Sequence, residues 1–427
     1  MNYQFPVEDP YDALEVTEMD FSIDPSDQDV YVDFDSVRDK TFLDRIKFNL
    51  RIKDGKLQSP TKKYHKFIFS GHKGSGKSVE LKRFHNSVNK QDCYLSVHID
   101  IEQEMEVGGF QSEDLFVILI AKLMERIHDE NIPFESESLS KIINEWTAET
   151  ETKEELSKNY QLEASGEVSA SSALPWFIQF KSSLKSIFSV SSKTSTTIRQ
   201  KIKNNPLHLI AQFNDILSEL RTTLKGHQKP KDILFIFDGT EKIAYDIYQK
   251  LFVKDSYIIR GIDSNIIFSV PINSYFEIKS SPAVEFFHIF YLPMVKLSEE
   301  GKPKLSEPLL SEVISKRIKV DKLISPVALD LCVKKSGGCI RQLIRIVNTA
   351  LSMALGAQVT EDIAKKSIKK LGYDMKDLLT SDHLEILINK KYNTADSTVI
   401  ELLLCLAVLK YNGKRGINPL LEGLINE

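Results

Sequence analysis

Before about residue 280 the apolar positions alternate between two rhythms, and after it one rhythm dominates. Mostly apolar runs, KFIFS (Lys66 to Ser70), YLSVHID (Tyr94 to Asp100), ILFIFDG ending at Gly239 and IIFSVPI ending at Ile272, read as strands of a buried sheet. Between them apolar residues recur at helical spacing: VELKRFHNSV after Ser78, LFVILIAKLM within Glu113 to Ile127, and the stretch from roughly Leu207 to Leu224. Strands alternating with helices predict an α/β fold around a parallel sheet. A helix in the run SVRDKTFLDRIKFNLRI from Ser36, then a loop over Lys53 to Lys66, precede the first strand.

After about Ser281 helical patterns take over through Leu371, including KKSGGCIRQLIRIVNTALSMAL, and predict a second, all-helical domain. Beyond it, the apolar helix of VIELLLCLAVLK, the turn YNGKRG and a short apolar end predict a winged-helix-like module. The expected divisions are an acidic arm over 1–35, an α/β domain over 36–280, a helical lid over 281–371 and the winged-helix-like domain over 372–427. Within the α/β domain, a Ser-rich insertion at about 147–205 reads equally as a hairpin or a loop. Its Pro175-Trp176-Phe177 reads either as a partner hook or as core packing.

Composition sharpens this picture. A length of 427 residues suits two or three domains, and 42% apolar with 27% charged residues is ordinary for a globular chain. A net charge of -4 supplies no global basic field for nucleic acid, and residues 372–427 hold six Lys/Arg against eight Asp/Glu. Nucleic acid is therefore a partner that charge does not favour. Cys93, Cys332, Cys339 and Cys405 have no metal-binding or disulfide spacing and read as reduced thiols. No run approaches the roughly 18 apolar residues of a membrane span. The first 35 residues carry eleven Asp/Glu and no Lys or Arg, unlike a basic targeting leader, so a cytoplasmic location is expected. That arm reads as a solvated leader or as a docking segment for a basic partner.

The chemistry is carried by Gly71-His72-Lys73-Gly74-Ser75-Gly76-Lys77-Ser78, the GxxxxGK[ST] spacing between strand and helix. Such a P-loop turns backbone N–H groups around a polyphosphate, at positions where a side chain on Gly74 or Gly76 would obstruct. Lys77 supplies a point charge, and the Ser78 hydroxyl is a ligand for Mg²⁺ at the start of the helix. Asp238, ending a hydrophobic strand, is the expected second metal ligand. Glu241 reads either as the residue polarising an attacking water or as a turn or cap carboxylate. Asn273 reads as a γ-phosphate sensor or a turn residue at the ligand-gathering end of the sheet. In Gly337-Gly338-Cys339-Ile340-Arg341, two glycines precede a helix bearing Arg341 and, one turn on, Arg345; Arg341 is preferred as an arginine reaching the nucleotide.

Taken together, GHKGSGKS, ILFIFDGTEK, the strand ending SVPIN, the GGCIRQL helix and the tail resemble the initiator-like and STAND branches of AAA+ ATPases, over about residues 36 to 427. SGHKGSGKSVELKRF and FDGTEKI look like bacterial ATPases encoded in anti-phage defence cassettes. The resemblance implies a P-loop NTPase core with helical lid and winged helix, ATP and Mg²⁺ as cofactors, oligomerisation and a protein effector. Gly239 stands where most AAA+ members carry a catalytic Glu, and this departure implies slow, switch-like hydrolysis by Lys77, Asp238 and Glu241. Arg260 and Arg317 are arginine-finger candidates. A DNA-engaging loader or transposition helper is the alternative.

Overall fold

The computed structural model describes residues 3–38, 41–58, 63–90, 93–104, 110–147, 193–226, 232–297 and 306–426. Its centre is a parallel sheet of β1 (Lys66–Gly71), β2 (Tyr94–Asp100), β3 (Asp232–Asp238), β4 (Asn265–Val270) and β5 (Phe287–Leu292). The strands lie in the order β2-β3-β4-β1-β5. Every residue of β1, β3 and β4 is buried, which is why those runs lack polar alternation. Successive side chains point to opposite faces. Ile68, Phe235 and Phe237 pack with α2 (Asp114–Asp129), α3 (Glu137–Thr147), α4 (Lys193–Asn204) and α5 (Pro206–Gly226), whereas Phe67, Phe69, Leu234 and Ile236 pack with α1 (Lys77–Lys90).

The fold is therefore α/β, followed by helical and winged-helix elements. The lid consists of α7 (Ser306–Ser315), α8 (Pro326–Lys335), α9 (Ile340–Ala354) and α10 (Glu361–Lys376), and α6 (Ile272–Ser280) follows β4. The winged helix has α11 (Ser381–Ile388), α12 (Ser397–Leu404) and an antiparallel hairpin of β6 (Val408–Lys410) and β7 (Arg415–Ile417).

Several expectations need correction. The sheet extends past the boundary set at Ser281: β5 falls in the segment read as helical lid and pairs with β1. As an edge strand it keeps His288, Ile289 and Tyr291 only partly buried, and this dilutes the apolar run. The boundary at 371 and 372 cuts the continuous α10. The acidic arm is not a solvated leader. Val7, Ala13, Val16, Val32 and Phe34 are buried in one core with the lid helices, and Val7 pairs by backbone with Arg317 and Lys319. Its basic partner is the chain itself, because Asp24 meets Lys82 while Asp33 and Asp35 meet Arg83, all on α1.

The end of the Ser-rich insertion is α4, whose Ile198 and Ile202 are core residues and whose Arg199 grips buried Asp114 at 2.7 Å. Residues 148–192, with Pro175, Trp176 and Phe177, lie outside the described residues. All four cysteines are free thiols. Among the described residues no helix is long and apolar enough to cross a membrane.

Candidate functional site

The loop at residues 72–76 joins β1 to α1 at the C-terminal end of the sheet, with Gly74 at φ 80° and Gly76 at φ 94°. That backbone region strains any residue with a Cβ. At Gly74 a Cβ would also lie 2.3 Å from the Cβ of Arg341. Among the described residues, the N–H groups of Gly74 and Gly76 donate to no protein group, as an anion cradle requires.

Lys77 is only 5% exposed and donates Nζ to the carbonyls of Gly71 and His72, both at 3.2 Å. Burial lowers its pKa, opposed by the carboxylates of Glu241 and Asp238. Asp238 is buried at the end of β3; burial raises its pKa, whereas hydrogen bonds from the Ser78 hydroxyl and, at 2.9 Å, the Gly239 N–H favour the charged form. Loop and strand thus bring the Ser78 hydroxyl near enough to Asp238 to favour its charged form. Glu241 and Asp100, the latter in register with Asp238 on β2, add negative charge beside it.

Glu241 lies in a single turn, Thr240–Lys242, whose Thr240 hydroxyl is bound to the Ser269 carbonyl. Its Oε2 accepts from the Ser269 hydroxyl at 3.4 Å. It occupies the first turn of a short helix, as the cap reading expects, and its carboxylate is the charge that most opposes burial at Lys77. Asn273 is not a loop residue but sits in the first turn of α6, with Oδ1 buried and without a partner. Ser75 Oγ is likewise buried and unpartnered.

The lid closes on the loop through the start of α9. Arg341 donates its backbone N–H to the Gly74 carbonyl at 3.4 Å, and Cys339 Sγ is 3.9 Å from the carbonyls of Lys73 and Gly74. Gly338 permits this approach, since a Cβ there would fall 1.7 Å from the Val295 carbonyl oxygen. The side chains of Arg341, Arg345 and Lys73 are exposed. Arg260 stacks over the Phe286 ring at 4.5 Å. Arg317 is 3% exposed and donates to the Val313 carbonyl of the preceding helix α7 at 2.6 Å, so it is not presented to a second molecule.

Two contributions escaped the motif. Arg38 sends NH2 to the Ser75 carbonyl at 2.6 Å, leaving Nε buried without a partner. It is the first basic residue of the chain, at the end of the acidic arm, and that was the available signal. The His72 ring turns to the winged helix: Nδ1 lies 3.0 Å from the Leu403 carbonyl and Nε2 accepts the Lys410 N–H at 2.8 Å. Only tertiary contact could have shown this.

The residues present fit a nucleotide phosphate with a divalent cation: free amides and glycines for the anion, buried unpartnered polar atoms, an ammonium, and a hydroxyl–carboxylate pair of the hard oxygen type that suits Mg²⁺.

No family model and no curated protein matches the chain. Among solved structures, the Aeropyrum pernix ORC2 protein in ADPNP-ADP complexes aligns at 12% identity over 90% of this chain and 91% of that one, with a TM-score of 0.39. Cdc6p from Pyrobaculum aerophilum aligns at 13% identity over 95% and 97%, TM-score 0.38. The Aeropyrum pernix ORC1 protein in complex with DNA aligns at 9% over 97% and 96%, TM-score 0.40. Likeness at this level carries no argument about function.

Proposed function

We propose that the protein is a regulatory P-loop ATPase that binds ATP with Mg²⁺ and hydrolyses it slowly, its nucleotide state setting lid and winged-helix arrangement, self-association and the activity of a protein effector. The observation that carries the reading is a glycine loop with free amides whose buried Lys77 faces the charges of Glu241 and Asp238, with Ser78 near enough to favour the charged form of Asp238. Ser78 and Asp238 would hold the metal, which supplies charge neutralisation at the phosphates. The Gly71–Ser78 loop orients the phosphate chain, and Lys77 adds a positive charge in a site of low exposure. Glu241 accepts a proton from, or orients, the attacking water. Arg341 brings the lid's charge to the loop, so closure and nucleotide content are linked.

Calorimetry tests this directly. ATP is expected to bind in a Mg²⁺-dependent manner, Asp238→Asn to lose that metal dependence, and Glu241→Gln to retain ATP while hydrolysing about 100-fold more slowly. An Asp238→Asn protein with undiminished metal dependence sinks the assignment. The anti-phage setting rests on the sequence resemblance, and equal phage plaque counts with wild-type and Lys77→Ala chains in a host carrying the intact cassette would remove it.

A second reading, duplex DNA binding, is favoured by the observed winged-helix form of 381–417. In this structure the wing's Lys410 and Arg415 lie over the Tyr291 and Phe276 rings instead of facing outward. Salt-dependent duplex binding by the full chain would promote this reading.

A further inference from the structure

The P-loop is clamped to the winged helix by one side chain of the motif itself. His72 is fully buried. Because Nε2 accepts the Lys410 N–H, that nitrogen carries no proton, so Nδ1–H is the donor to the Leu403 carbonyl. The ring therefore satisfies one of the last carbonyls of α12 and an outward-facing amide of β6 at once. Lys410 is fixed on its other sides too. Its carbonyl accepts from the Met294 N–H at 3.1 Å and the Tyr291 hydroxyl at 3.3 Å, and its ammonium lies 3.6 Å from the Tyr291 ring centroid. The His72 backbone carbonyl, meanwhile, accepts from Lys77 Nζ. One residue thus touches the phosphate-binding lysine with its main chain and the wing with its ring.

We propose that His72 is a positioning residue that couples nucleotide binding to winged-helix docking, each strengthening the other. The inference rests on the nucleotide reading of the loop and adds its direction and its route. The loop must hold Gly74 and Gly76 at positive φ to present its amides. A docked wing helps fix that conformation in advance, so less ordering remains to be done when phosphate binds. By linkage, phosphate that orders the loop holds the ring where the wing needs it.

Hydrogen exchange of the full-length chain, with ADP and Mg²⁺ as probe, tests the coupling. In the wild type, saturating ADP is expected to slow exchange across residues 403–411 about tenfold, in the ordinary range of couplings between sites. His72→Phe keeps a ring without its polar atoms. It is expected to exchange about tenfold faster there, to lose the ADP response, and to bind ADP about tenfold more weakly; His72→Gln restores part of all three. Lys410→Met serves if His72→Phe does not fold, since it leaves the loop intact and loosens only the wing, and it should weaken ADP binding about threefold. Unchanged exchange at saturating ADP, or wild-type ADP affinity in both His72→Phe and Lys410→Met, overturns the coupling alone. A wild-type chain that takes up no ADP overturns the coupling and the ATPase reading together.

Discussion

Two buried lysines stand at opposite ends of strand β1, and each donates to two backbone carbonyls. Lys66, 2% exposed, reaches Ile262 at 2.7 Å and Ser264 at 2.5 Å; Lys77, 5% exposed, reaches Gly71 and His72 at 3.2 Å each. The Lys66 bonds are short and tie β1 to the segment leading into β4, whereas those of Lys77 are long and stay within its own loop. Their electrostatics differ as well. Burial pushes the Lys66 pKa down to about 7, with Asp263 the opposing charge, while the charges opposing burial at Lys77 are Glu241 and Asp238, both in the candidate site. One amine staples the sheet, and the other, held by two weak internal acceptors, is the one proposed to turn to phosphate.

The strongest way to break this contrast is Lys77→Met. It should lower ATP affinity by about 100-fold, near 2.7 kcal/mol, while the melting temperature stays within a few degrees of wild type. Calorimetry and thermal melts read both, and a chain that unfolds instead would make Lys77 a staple too. Lys66→Met is the converse: two buried carbonyls lose their donor, so stability should fall by about 1–3 kcal/mol in denaturant titration, with ATP affinity within about threefold. Loss of ATP binding by a folded Lys66→Met chain would erase the distinction.

The smallest effect is a pH slope. Between pH 7 and 10.5 the unfolded chain keeps a proton on Lys66 that the folded chain has released, so this group makes stability rise with pH, by at most about 1.4 kcal/mol per unit. Lys66→Met should flatten that rise, and an unaltered profile would mean that Lys66 stays charged.

The loop motif and β3 were legible because their chemistry is local: eight consecutive residues make the cradle, and an apolar run ending in Asp238 places a carboxylate at a strand end. Edge strand β5 was not legible, since its partly exposed FHIFYL resembles neither a buried strand nor a clean alternation. The acidic arm misled because its charges suggested solvent, whereas its sparse apolar residues, Val7, Ala13, Val16 and Phe34, fill the lid core. Asn273 was placed at the right end of the sheet, but nothing in sequence showed its Oδ1 buried and unpartnered.

By itself, the order of residues determined a parallel α/β core, a phosphate-type loop, a strand-end carboxylate, and helical and winged-helix elements behind them, because backbone periodicity and glycine geometry act over a few neighbours. Tertiary structure alone decided that Arg38, Arg341 and Lys410 meet at one loop. These contacts span 37, 267 and 338 positions from Arg38 to Ser75, Gly74 to Arg341 and His72 to Lys410. Separations of that size leave no periodic trace in the chain, since they are set by how whole elements pack.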